Sequence, residues 1–140
     1  MSSAKIPRNF RLLEELEKGE KGLGEHNISY GLKDGEDNMM SDWACTIVGP
    51  GMSVHENRIY SLEITCGPNY PESPPEARFL TRINLPCVDS NTGKITNFEK
   101  LTNWRREYTM ETILKSLRET MALPANRKLS QPPEGTMFSD

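Results

Sequence analysis

Cys66-Gly67-Pro68-Asn69-Tyr70-Pro71-Glu72-Ser73-Pro74-Pro75 is the stretch on which the fold turns. Each proline removes a ladder donor and restricts the residue before it, so Pro71 to Pro75 reads as a loop and not a central strand. The sequence leading into it alternates. Tyr60, Leu62, Ile64 and Cys66 are interleaved with Ile59, Ser61, Glu63 and Thr65. Further upstream, Trp43, Cys45 and Ile47 alternate with Ala44 and Thr46 and close on the turn residues Gly49-Pro50-Gly51. Ile28, Tyr30 and Leu32 alternate with Ser29 and Gly31 in the same way. Period-two runs separated by turns predict an antiparallel meander with one buried face. Beyond the prolines, a short fourth strand is predicted from Arg78 to Thr81.

Helical periodicity brackets this sheet and makes the class α+β. Pro7 suits a first helical turn and Gly19 a stop, which predicts a helix over about 7–18. Leu12, Leu13 and Leu16 share a face, with Glu14, Glu15 and Glu17 opposite. Phe10 lies to one side of the leucines, beside Arg8 and Asn9. An aromatic so displaced is either an anchor for another protein or a staple folded over the helix start, and the wheel does not choose between them. The charge-rich exit from Glu15 to Gly22 reads as solvated surface. Thr109 suits the N-cap of a second helix from Met110 to Met121. Its apolar stripe is Met110, Ile113, Leu114, Leu117 and Met121, and Pro124 ends it. From about Ser130 the composition is a polar, Pro-rich tail.

The 140 residues suit a single domain, 1–140, with a real core. Seventeen basic against 20 acidic residues, net charge −3, leave no basic stripe of the kind nucleic acid requires. Three scattered cysteines give neither a disulfide framework nor zinc spacing, so no metal and no cofactor are expected, and a reducing compartment is. No apolar run approaches membrane-spanning length and the N-terminus lacks a signal-peptide core, so no membrane association is expected.

The Tyr70-Pro71-x-x-Pro74-Pro75 run, followed by Phe79-x-Thr81, resembles the ubiquitin-conjugating enzymes. The resemblance implies their fold: a four-stranded antiparallel meander packed on helices. The further C-terminal helices usual in the active enzymes are truncated here. In that family the next blocks are His-Pro-Asn and Gly-x-Ile-Cys, whose cysteine carries ubiquitin as a thioester. This chain has Leu85-Pro86-Cys87 and Gly93-Lys94-Ile95-Thr96 instead. A thiol titrates at roughly 8.5 and supplies some thiolate near neutrality. A threonine hydroxyl needs a positioned base, and the only two histidines, His26 and His55, are distant in sequence. Cys87 replaces the family's asparagine, an oxyanion donor, so that group is lost as well. As a nucleophile Cys87 has nothing beside it to lower its pKa; as a half-buried apolar filler it is ordinary.

The chain therefore resembles the ubiquitin-conjugating enzyme variants, and this resemblance implies both a partner and a set of contacts. Pro7-Arg8-Asn9-Phe10, continuing to Leu16, matches the helix by which variants pair with an active conjugating enzyme, the phenylalanine filling a pocket on the partner. Ser29, Thr46 and Ile59, which alternation places on the outer sheet face, match the residues that hold the acceptor ubiquitin. The implied role is the noncatalytic subunit in lysine-63-linked chain synthesis, with ubiquitin ligases as indirect partners. Error-free tolerance of DNA damage and residence in nucleus and cytoplasm are expected with it. An active enzyme using Cys87, a peptide-binding module and a ubiquitin-binding domain without an enzyme partner are the alternatives.

Overall fold

The meander is present in sequence order. A computed structural model of the chain describes residues 7–21 and 26–138. It contains α1 (Arg8–Lys21), β1 (Ile28–Leu32), β2 (Asp42–Val48), β3 (Ile59–Thr65), β4 (Glu76–Phe79), α2 (Glu99–Thr102) and α3 (Met110–Met121). The four strands form one antiparallel sheet, order β1-β2-β3-β4. Tyr30 pairs with Cys45, Cys45 with Leu62 and Leu62 with Phe79, so one row of side chains crosses the whole inner face. Helices α1 and α3 cover that face. Leu12, Trp43, Ile47, Tyr60, Leu62, Ile64, Phe79, Leu114 and Leu117 are sealed between them.

Helix α3 starts where the sequence says it should. The Thr109 side chain accepts from Thr112 N, and the Thr112 side chain accepts from Thr109 N. Its five predicted stripe residues are all buried. No helix follows α3 among the described residues.

Three expectations need correction, and one short helix was not foreseen. Gly19 does not stop α1, which runs on to Lys21. A Cβ at Gly19 would come 2.7 Å from the Tyr30 carbonyl oxygen, so the glycine marks a close helix–strand approach. Of the charge-rich exit, Gly22 lies outside the described residues. The fourth strand lies two residues earlier than predicted, because Leu80 N and Thr81 N both turn to Ser61 O. The single turn α2, with Phe98 as a cap that offers no side-chain hydrogen bond, went unpredicted. The Pro-rich segment from Ser130 is laid against the protein: Thr81 bridges Met137, Arg82 N donates to Thr136 O, Gln131 and Asn84 exchange hydrogen bonds, and Phe138 is buried beneath the Arg82 guanidinium.

Candidate functional site

Cys87 and Thr96 close a hairpin. Thr96 N donates to Cys87 O at 2.8 Å, Val88 bridges Ile95, and Asp89 N donates to Lys94 O. At the tip, the Asp89 carboxylate accepts from Asn91 N and Thr92 N. Gly93 takes φ +81, and a Cβ there would lie 2.3 Å from Phe79 O and 2.6 Å from the Phe138 ring. The Thr96 side chain at the end of this frame is exposed. Cys87 faces inward, and burial pushes its thiol upward in pKa. Burial likewise lifts Cys45 to about 12. His55 is fully buried with Nδ1 2.7 Å from the Tyr60 hydroxyl, and burial followed by the Arg58 charge pushes it down to about 4. The hairpin thus presents the Thr96 hydroxyl at its end, and burial disfavours ionisation of the neighbouring Cys87 thiol.

The partner-binding candidates divide. Pro7, Asn9 and Phe10 are exposed, Phe10 to 62 %. Arg8 is half-exposed, and its guanidinium is bonded to its own chain. Its Nε donates to Gly67 O, Nη1 to Met39 O and Asn9 Oδ1, and Nη2 to Cys66 O and Ser41 Oγ. The leucine stripe also needs correction: Leu12 is buried and Leu16 partly so, but Leu13 is 49 % exposed and lines a shallow groove with Phe10. Glu15, expected on the solvated side, is buried instead. Its carboxylate accepts from the Tyr70 hydroxyl at 2.5 Å and from Met110 N at 2.8 Å, with Arg11 Nε 3.7 Å away. Burial raises its pKa, and the two hydrogen bonds oppose that rise. Arg11 in turn donates to Tyr108 O. Hydropathy alone could not find this group, because Tyr70 and Met110 are far off in sequence.

The sheet face is assembled as the alternation predicted. Ser29 pairs with Thr46 and Thr46 with Ser61, while Ile59 pairs with Val48 one row away. Ser29 is exposed, Thr46 half-buried and Ile59 63 % exposed. All three lie on one outward surface, so a flat polar area borders a single protruding apolar side chain.

A four-stranded antiparallel meander backed by α1 and α3 is the scaffold expected of the conjugating enzymes. Residues 11–139 match the family model of the ubiquitin-conjugating enzymes. The chain is 61% identical over 136 residues to the ubiquitin-conjugating enzyme variant MMS2 of Saccharomyces cerevisiae, with 96% of this chain and 99% of that protein covered. It is 60% identical over 137 residues to the ubiquitin-conjugating enzyme spm2 of Schizosaccharomyces pombe, at 96% and 99% coverage. Among solved structures it is similar to the human ubiquitin-conjugating enzyme E2 G1, with TM-score 0.74, 30% identity, and 86% of this chain and 100% of that one covered. The chain belongs to the ubiquitin-conjugating enzyme family, on its variant branch.

Proposed function

We propose that this protein is the noncatalytic subunit of a heterodimeric ubiquitin-conjugating enzyme that builds lysine-63-linked chains. The observation that carries this reading is Phe10, an aromatic left 62 % exposed on a helix whose other face is docked. A chain gains nothing by ordering that ring in water; a partner with an apolar pocket does. The active enzyme supplies the thioester. This chain holds the acceptor ubiquitin on Ser29, Thr46 and Ile59 so that lysine 63 faces the thioester. Its contribution is orientation, which raises the effective concentration of one amine, by as much as ~10⁵ M in well-aligned systems. Lysines that cannot reach are not used. The role extends to error-free tolerance of DNA damage, in nucleus and cytoplasm. The burial of Cys87 disfavours an active enzyme built on that thiol.

Reconstitution tests the reading. This protein is combined with ubiquitin, activating enzyme, ATP and a lysine-63-type conjugating enzyme, each omitted in turn, and linkage is read by mass spectrometry. Lysine-63 chains are expected only from the complete mixture. A reductant-labile ubiquitin adduct on this chain alone, discharged onto amines, would overturn it.

A further inference from the structure

We propose that Arg58 is a positioning residue of the acceptor-ubiquitin surface: it ties the start of β3 to the Pro132 carbonyl oxygen and so holds Ile59 outward. The Pro-rich segment from Ser130 thereby becomes a part of acceptor binding. This rests on the acceptor surface proposed above.

Ile59 is the first residue of β3 and the one protruding apolar side chain beside Ser29 and Thr46. Strand ends fray, and a slip of one residue would turn Ile59 inward. The loop before it is built against both. Asn57 takes φ +66, a left-handed conformation that asparagine tolerates. Arg58 N donates to His55 O at 3.0 Å, and Gly49 N donates to Arg58 O at 2.8 Å. A Cβ at Gly49 would lie 1.8 Å from His55 O, so a glycine is what lets the loop close this tightly.

The side chains on either side of Ile59 are fixed. Tyr60 is buried, with its hydroxyl 2.7 Å from His55 Nδ1. Burial raises the Tyr60 pKa and lowers that of His55, and the Arg58 charge opposes the first shift and adds to the second. A neutral phenol therefore meets a neutral imidazole. His55 Nε2 is buried with no partner among the described residues, so the Tyr60 hydroxyl is what anchors that ring. On the other side of Ile59, Arg58 Nη1 donates to Pro132 O at 2.7 Å, across 74 residues of sequence.

Pro132 is a steady acceptor because its segment is clamped on both sides. Asn84 N donates to Gln131 Oε1 and Gln131 Nε2 to Asn84 O, each at 2.9 Å. Asn84 Nδ2 donates to Ser130 O, and beyond Pro132 the Thr136 carbonyl accepts from Arg82 N. Arg58 carries that fixed point to the residue before Ile59. A surface already in its bound shape loses little freedom when ubiquitin arrives, which matters most at a site with one apolar protrusion.

The test is diubiquitin synthesis by the full heterodimer, using a donor ubiquitin whose lysine 63 is replaced and varying an acceptor ubiquitin that lacks its C-terminal glycines. Arg58→Met keeps the aliphatic stem and removes the donors. It should raise the acceptor KM about tenfold, with kcat and the affinity for the active enzyme unchanged. Arg58→Lys, whose amine can still reach Pro132 O, should recover most of that loss. Gln131→Ala, which loosens the clamp without touching β3, should raise the acceptor KM about threefold. In the heterodimer with this chain labelled at isoleucine methyls, the Ile59 signal should move in Arg58→Met and return in Arg58→Lys. An unchanged acceptor KM in Arg58→Met, while Ile59→Ala loses chain formation, would overturn this inference alone. Parental chain formation by Ile59→Ala would remove the acceptor surface and this inference with it. A raised KM with the Ile59 signal unmoved would make Arg58 a direct ubiquitin contact and overturn its positioning role. An unchanged KM in Gln131→Ala would overturn the part assigned to the Pro-rich segment.

Discussion

The Cys87–Thr96 hairpin and helix α1 are held by different atoms. The hairpin is fastened through backbone: Thr96 N to Cys87 O, Gly93 N to Asp89 O, Ile95 N to Ala77 O and Phe79 N to Gly93 O. Almost nothing in it depends on the side chain at Thr96, which is exposed. Helix α1 is fastened through side chains. Arg8 gathers acceptors from three segments, Arg11 reaches Tyr108 O, and Glu15 accepts hydrogen bonds from Tyr70 and Met110. A frame made of peptide groups can lose its reactive side chain and keep its shape. A helix seated by buried charge cannot lose those charges so freely, although its outward side chains are at liberty to meet a partner.

The sharpest way to break this contrast is Glu15→Ala. It leaves the Tyr70 hydroxyl and Met110 N buried without their acceptor and should destabilise the fold by about 3 kcal/mol or more, read by denaturant unfolding. Glu15→Gln, which keeps an acceptor oxygen, should cost less. A loss under about 1 kcal/mol for the alanine variant would mean that α1 is seated by its apolar side chains after all.

Phe10→Ala should instead leave the fold intact and weaken the heterodimer by about 2 kcal/mol in a titration. Ile59→Ala or Ser29→Arg should preserve that heterodimer while abolishing chain formation in the reconstituted assay. Chains made at the parental rate by those two variants would move the acceptor surface elsewhere.

A smaller effect concerns pH. Burial holds His55 well below the ordinary histidine value of 6.5, at about 4, so the unfolded chain takes up a proton that the folded chain refuses. Stability contributed by neutral His55 is present above pH 6.5 and is lost as pH falls from there toward about 4. His55→Gln should flatten that part of the profile, measured as melting temperature against pH. An unaltered profile would assign the slope to other groups.

The smallest effect is expected at Thr96, at the end of the hairpin. Thr96→Ser should change stability by no more than about 0.5 kcal/mol, the usual range for an exposed side chain. A loss of several times that size would show that the hairpin relies on this side chain.

What could be read from the chain divides in the same way. The strands, the outward placement of Ser29, Thr46 and Ile59, and the Thr109 cap depend on local spacing, and each is present. The seating of α1 depends on partners far away. A hydropathy stripe puts Leu13 inside and Glu15 outside, and the Tyr70 hydroxyl and Met110 N reverse that order. Arg8 reads only as a candidate partner contact, and its bonds to acceptors from 31 to 59 residues away were not legible. Phe138 sits in a polar stretch that no composition argument would bury; the notch over Gly93 buries it.

That notch sets its own requirement on the sequence. Gly93 begins the Gly-x-Ile signature that precedes the thioester cysteine in the active enzymes, yet its φ of +81 and the crowding by Phe79 O and the Phe138 ring require glycine on steric grounds alone. Glycine is therefore required here whatever residue stands three positions later. Its presence reports the packing of the notch and carries no information about chemistry at its edge.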